Sequence, residues 1–133
     1  MSPQREITNK RPTNYSKWHR AKLPEWCYLT DGDWFEQRLV NDKLAAVACF
    51  ETIEVPPLFI HDAQEHYELW PSKRALLHDI SQGMQIPCFV VRHTPDCKLF
   101  SLSRITPSGE ETEAKVLDEQ KYAAFLCSLG GTA

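Results

Sequence analysis

The alternation of apolar and polar positions predicts a chain built from both strands and helices. Residues 26–39 are rich in aromatic and β-branched side chains, interrupted by the turn-like pair Asp31-Gly32, which predicts strand structure around that pair. Asn41-Asp42 predicts a hairpin turn into a second strand over residues 44–53. Because residues 44–50 are apolar on both faces, we expect this strand to lie at the centre of a sheet covered on both sides.

The rest of the chain predicts helices and two further strands. Thr13 or Asn14 can cap a short helix that Pro24 ends. Apolar positions at helical spacing, followed by Gly83 as a stop, predict a longer helix later in the chain. The predicted helices cover residues 13–22, 62–69 (short and acidic), 72–82 and 118–129, and the predicted strands cover residues 86–93 and 99–105.

This order of elements predicts an α/β fold, with a mixed central sheet flanked by helices. We assign residues 13–133 to a single domain, behind a mobile basic lead-in of residues 1–12. A length of 133 residues, with 42% hydrophobic and 25% charged side chains, is typical of one globular domain. It excludes a collagen-like rod and a coiled coil.

The chain contains no segment typical of membrane insertion or of secretion. No apolar run approaches the ~18 residues of a membrane span, and the first thirty residues lack an apolar signal core. The five cysteines are an odd number without a C-x-x-C pair, which indicates a reducing compartment and disfavours a cysteine zinc site. We therefore expect a cytoplasmic protein without a membrane partner.

Charge is unevenly distributed along the chain. The formal net charge of −3 gives no general attraction for nucleic acid. Between Arg5 and Lys22, however, six basic residues stand against the single acid Glu6. Lys17, Arg20 and Lys22 are thus candidates for contacts to a phosphate backbone, and the alternative is that this basic arm is a solvated tail.

Acidic residues cluster around the first two predicted strands. Asp31 and Asp33 share a face if the local chain is extended, and Glu51 shares its face with Cys49 and Ile53. A carboxylate at the end of an apolar strand is costly to bury unless something satisfies its charge. A hard divalent cation shared with an aspartate on the adjacent strand would do so. The alternative interpretation is that Glu51 marks the exit of the strand into solvent.

The order of these acids and elements resembles the PD-(D/E)XK, or restriction-endonuclease-like, superfamily. The resemblance covers roughly residues 26–105 and rests on TDGDWFE at 30–36, VACFETI at 47–53, and the helix and strand that follow. It implies a restriction-endonuclease-like fold that hydrolyses phosphodiester bonds of nucleic acid with Mg²⁺. It further implies that Asp33 and Glu51 bind the metal together with the carbonyl of Thr52, with Asp31 as the alternative first ligand.

The sequence departs from this superfamily at the motif lysine. The family has a lysine two residues after the glutamate, and this chain has Ile53 there. Lys73 and Arg74, at the start of the next helix, are candidates for a relocated basic group, with Lys73 as the catalytic residue. The alternative for this pair is an ordinary surface role. The rival to a nuclease is an inactive member of the fold that binds a protein or nucleic acid through its acidic face or through residues 55–70.

Small nucleases of this type commonly form dimers, so the resemblance also implies a homodimer, for which the apolar run 55–60 offers an interface.

Other groups of candidate functional residues are less specific. The segment 61–66 holds two histidines five apart, which matches no helical zinc motif, although it leaves a small-molecule enzyme as a third hypothesis. Cys97 with His93 is a conceivable nucleophilic pair. Among the aromatic residues, Trp18 and Trp34 are the candidates for stacking on bases.

Overall fold

A mixed β-sheet organises the part of the chain that this computed structural model describes, residues 6–7, 13–30 and 34–131. The described strands form one seven-stranded sheet in the order β1 to β7. The elements are β1 (Glu6–Ile7), α1 (Asn14–Lys22), β2 (Tyr28–Thr30), β3 (Trp34–Val40), β4 (Lys43–Glu54), α2 (Ala63–His66), α3 (Pro71–Met84), β5 (Cys88–His93), β6 (Leu99–Arg104), β7 (Lys115–Asp118) and α4 (Glu119–Ser128), with 3₁₀ turns at Pro57–Asp62 and Leu129–Gly131.

Strand directions make the sheet mixed. β2, β3 and β4 are successively antiparallel, and so are β5, β6 and β7. β4 and β5 are parallel, and the connection between them contains α3. An α/β fold with a mixed sheet is therefore confirmed.

β4 is the central strand that the apolar pattern predicts. It is fourth in the order of seven described strands, and Ala48, Cys49 and Phe50 are fully buried. The hairpin from β3 turns at Asn41 and Asp42, whose φ angles are 51° and 65°. Positive φ at both central residues is the conformation of a type I′ turn, which matches the twist of the strands.

The two faces of β4 contact different helices. Ala48 and Phe50 pack against α1 and α4, on what we call the α1/α4 face. Cys49 packs with Leu77 of α3 on the other side, which we call the α3 face. Since side chains alternate along a strand, Glu51 and Ile53 project on the α3 face. The α1/α4 face is completed by Tyr15, Trp18, Tyr122 and Leu126.

Two predicted helices differ in detail from the observed ones. α3 runs through Gly83 and ends at Met84, and its C-cap residue Gln85 adopts the left-handed conformation with φ 56°. The predicted stop at Gly83 is wrong because Gln85, the residue after the helix, supplies the reversal. The predicted helix over 62–69 is only the single turn α2. It ends at Tyr67, whose carbonyl accepts a hydrogen bond from Arg92 instead of continuing the helix. By contrast, α1 has the predicted cap, because Thr13 and Ser16 form a reciprocal capping box.

Two short edge strands lie where the sequence predicts none. β7 pairs with β6 in a segment that the sequence predicts as loop. β1 comes from the predicted lead-in and pairs in parallel with β2; the other residues of 1–12 lie outside the described part of the chain. No helix in the described ranges is both long and apolar enough to cross a membrane.

Candidate functional site

A groove opens on the α3 face where β4 ends and α3 begins. Its volume is about 560 Å³. β4 contributes Glu51 and Ile53 to its lining, the segment from His66 to Trp70 forms a wall, and α3 contributes Ser72 and Lys73. We call this feature the Glu51 groove.

Glu51 and Lys73 form an ion pair inside this groove. Lys73 Nζ lies 3.2 Å from Glu51 Oε2, and the two side chains are 33% and 22% exposed. The local sequence sets up the contact, because Pro71 occupies the first helical position and fixes Lys73 in the first turn of α3. Both side chains are therefore accessible from the groove while held against the sheet.

Ile53, where the resemblance expects a lysine, is half-buried and packs with apolar side chains on the α3 face. Its neighbour across the sheet is Arg92 of β5. Arg92 is fully buried, and it donates to the Tyr67 carbonyl at 2.7 Å and to a carboxylate oxygen of Glu111 at 2.6 Å. The charge of Arg92 is thus balanced by Glu111, whereas Lys73 is the cation that contacts Glu51.

Of the other predicted metal ligands, only Thr52 belongs to the described part of the chain. Asp33 and its alternative Asp31 lie outside the described residues. Thr52 follows Glu51 within β4 and pairs with Val91 of β5. Across residues 6–7, 13–30 and 34–131, no cluster of three or more His, Cys, Asp or Glu side chains is arranged to hold a metal ion.

The basic residues of α1 lie apart from the Glu51 groove. Lys17, Arg20 and Lys22 are exposed on a helix that packs against the α1/α4 face, with the sheet between them and Glu51. Lys22 Nζ lies 3.8 Å from a carboxylate oxygen of Glu119. A nucleic acid that contacts both places would have to pass around the edge of the sheet, and the role of these cations stays a prediction.

The tryptophan exposed beside the groove is not one that the sequence singles out. Trp18 is 6% exposed, packs in the core and donates its indole N–H to Glu119, which removes it as a stacking surface. The side chain of Trp34 lies outside the described part of the structure. Trp70 is 77% exposed and lines the Glu51 groove. The sequence signal that could have singled out Trp70 is the proline that follows it. Proline at the first helical position makes the preceding residue the N-cap, which lies outside the helix.

Cys97 and His93 do not form an activated nucleophile. Cys97 Sγ lies 3.7 Å from His93 Nδ1. Burial raises the pKa of Cys97 to about 12 and lowers the pKa of His93 below its usual value. The thiol is therefore protonated at neutral pH, and the thiolate that attacks a substrate is not formed.

The segment 55–66 is more deeply packed than its apolar sequence suggests. Val55 and Ile60 are buried, and only residues 56–58 of the run 55–60 are exposed. His66 contacts Asp62 at 3.0 Å and packs against the Phe59 ring. The surface part of the predicted apolar interface is therefore residues 56–58, of which Leu58 is 83% exposed, and a homodimer stays a prediction.

Comparison with protein-family models, with curated proteins and with solved structures finds no match to this chain. We therefore infer the function from the groove and from the order of the residues and elements that form it.

Proposed function

We propose that the protein is a restriction-endonuclease-like nuclease that hydrolyses phosphodiester bonds of nucleic acid with Mg²⁺, and that Lys73 replaces the motif lysine. The observation that carries the proposal is the 3.2 Å contact between Lys73 Nζ and Glu51 Oε2 in an open groove. The resemblance selects Glu51, and Lys73 is a candidate for the relocated basic group because it begins the next helix. The two residues come from elements separated by a 3₁₀ turn and a short helix.

The order of elements supports the proposal. The β3–β4 hairpin is followed by a glutamate near the end of a buried strand, by α3, and by a strand parallel to β4. Since α3 crosses over between two parallel strands, its N-terminal turn lies at the end of β4 where Glu51 is found. The helix can therefore place a basic side chain beside the glutamate without help from position 53.

The proposed ligands have the oxygen chemistry that a hard cation prefers. Carboxylate and carbonyl oxygens are the ligands that Mg²⁺ prefers, and Mg²⁺ commonly uses one or two carboxylates with water and substrate phosphate for the rest. Glu51, the Thr52 carbonyl and Asp33 would hold it. When bound, the cation supplies a more acidic water and stabilises charge on the phosphate.

Lys73 supplies what Ile53 does not. An ammonium group beside the carboxylate can orient the attacking water and offset negative charge that develops on the phosphate oxygens. Ile53 lies on the same strand face but has no hydrogen-bond donor. Arg92, its cross-strand neighbour, is held by Glu111.

The proposal is tested with end-labelled DNA and RNA oligonucleotides, incubated with Mg²⁺ or Mn²⁺ and with EDTA as the metal-free control. Glu51→Gln and Lys73→Ala are each expected to lower cleavage by about 10²–10⁴-fold, the usual contribution of a group that positions or transfers a proton. Arg74→Ala is the matched control, because it removes the next cation of the same helix, which lines a neighbouring cavity. Full activity of folded Lys73→Ala would contradict the assignment.

The second candidate is an inactive member of the fold that binds nucleic acid or protein. The half-buried, apolar Ile53 at the motif position favours it. This candidate predicts binding without metal-dependent cleavage of any oligonucleotide. Cytoplasmic location is common to both candidates and stays a prediction.

A further inference from the structure

The Trp70 side chain is exposed, yet its backbone is firmly held. Its neighbour Leu69 is 9% exposed and belongs to the core on the α3 face. On the other side Pro71 begins α3, and the Trp70 carbonyl accepts the Arg74 N–H at 2.9 Å. Within the described part of the chain no other aromatic ring packs on this indole. A large apolar ring is thus presented to solvent from a rigid position.

Trp70 and Lys73 are neighbours on the surface. Trp70 is the N-cap residue of α3, and Lys73 lies in the first turn of the same helix. Both line the Glu51 groove, and the first turn of α3 contains no acidic residue. The groove therefore combines a flat aromatic face with an ammonium group that can contact a phosphate.

A nucleotide matches this pair of groups. Phosphate contacts from lysine position a nucleic acid, and bases stack on exposed aromatic side chains in proteins that bind single strands. A base inside a duplex is already stacked on both sides, so it must leave the stack before it can lie on an indole. An apolar peptide would also cover Trp70, but it carries no anionic group for Lys73, which can contact a phosphate beside its ion pair with Glu51.

We propose that Trp70 stacks on an unpaired base of the nucleic acid whose phosphate lies in the Glu51 groove. The substrate class is then nucleic acid with at least one unpaired nucleotide beside the groove, as in a single strand or a flap, rather than a fully paired duplex. This inference rests on the proposed function for its ligand, although it concerns binding and not the chemical step.

The test is a binding titration of the full chain in EDTA, which prevents turnover. The probes are a fluorescein-labelled single-stranded oligonucleotide and a blunt duplex of two annealed strands, which has no unpaired nucleotide. Trp70→Ala is expected to weaken single-strand binding by about 5- to 150-fold, the range for loss of one stacked base, and to change duplex binding by less than about twofold. Trp70→Phe, which keeps an aromatic face, should recover most of the affinity.

Leu58→Ala is the matched control, because Leu58 is 83% exposed and lies outside the groove lining; it should change neither affinity. Equal weakening on both probes would overturn the proposal, as would unchanged single-strand binding by Trp70→Ala or no single-strand binding by the wild type. Inorganic polyphosphate, which has no bases, should bind wild type and Trp70→Ala equally, and a difference would overturn stacking.

Failure of this inference is distinguishable from failure of the proposed function. If Trp70→Ala loses single-strand affinity while neither it nor the wild type cleaves, the stacking proposal is supported and the proposed hydrolysis is contradicted. If wild type and Trp70→Ala cleave and bind a single strand alike, hydrolysis stands and stacking fails.

Discussion

Arg92→Met is expected to be among the most destabilising single substitutions in this protein. Arg92 is 0% exposed and donates to the Tyr67 carbonyl at 2.7 Å and to Glu111 Oε2 at 2.6 Å. The same Glu111 carboxylate also accepts hydrogen bonds from Ser103 and Gln64. Methionine fills similar space but carries no charge and no hydrogen-bond donor. The Glu111 carboxylate, which is 12% exposed, would lose its cation, and the Tyr67 carbonyl would lose its donor.

The magnitude follows from the burial of the pair. Removing one partner of a buried ion pair costs about 3–5 kcal/mol, because the remaining charge is left uncompensated. The free energy of unfolding of a domain is about 5–15 kcal/mol, so the variant loses a large share of it. Tyr67 belongs to the wall of the Glu51 groove, so the loss also loosens the site.

The loss of unfolding free energy in Arg92→Met is expected to depend on pH. Burial alone would raise the pKa of Glu111, but hydrogen bonds from Arg92 and Ser103 hold that pKa below its usual value. In wild type, this stabilisation is present above the unfolded pKa of about 4.3 and is lost as pH falls through the folded pKa. Without Arg92, burial raises the pKa of Glu111 against only the hydrogen bonds from Ser103 and Gln64, so we expect protonation on acidification to relieve part of the destabilisation.

Urea unfolding, followed by circular dichroism at pH 7 and pH 4, measures both effects at equal m-values. We expect Arg92→Met to lose about 3–5 kcal/mol at pH 7 and less at pH 4. The double variant with Glu111→Gln should lose less than the sum of the single variants, because the two side chains interact. A loss below about 1 kcal/mol at pH 7, or an equal loss at both pH values, would refute this reasoning.

Three further predictions concern other parts of the molecule. Replacing Lys17, Arg20 and Lys22 with alanine should lower the slope of log affinity for DNA against log salt by about 0.9 per lost phosphate contact; an unchanged slope would show that the basic arm is a solvated tail. Cys97 should react with iodoacetamide at neutral pH far more slowly in the folded than in the urea-unfolded protein, because burial raises its pKa to about 12; equal rates would contradict this. Thr13→Ala should cost about 1 kcal/mol in urea unfolding by removing the cap of α1, and Thr13→Ser should retain most of it; equal losses would exclude capping.

The sequence predicts the central elements because their patterns are strong and local. Residues 44–50 are apolar on both faces, which requires a covered strand, and Asn41-Asp42 suits the positive φ angles of the hairpin turn. The sequence patterns of the edge strands are weaker. β7 (Lys115–Asp118) offers only two apolar residues, and its strand conformation depends on pairing with β6. Gly83 is compatible with a helix end but does not require one.

The candidate site was harder to predict from the sequence than the strands and helices, because it depends on contacts between distant segments. The proximity of Lys73 to Glu51 requires the crossover of α3, and the sequence reached it only through a resemblance in the order of elements. Exposure of aromatic residues was predicted less well. Trp18 is buried because α1 packs against α4, a contact between segments about a hundred residues apart. Trp70 projects because it precedes the helix that Pro71 begins.

Relocation of the lysine is the central claim, and the most direct test moves the lysine back. Ile53 and Lys73 line the same groove, and Ile53 is only half-buried, so a lysine at position 53 can reach Glu51 at a modest cost in stability. In the Lys73→Ala background, which we expect to be inactive, Ile53→Lys is expected to restore Mg²⁺-dependent cleavage of a labelled oligonucleotide by about tenfold or more. Ile53→Met in the same background, which adds no charge, should restore nothing. A folded Lys73→Ala/Ile53→Lys protein that cleaves no faster than Lys73→Ala would contradict the claim that one basic group has changed its place in the chain.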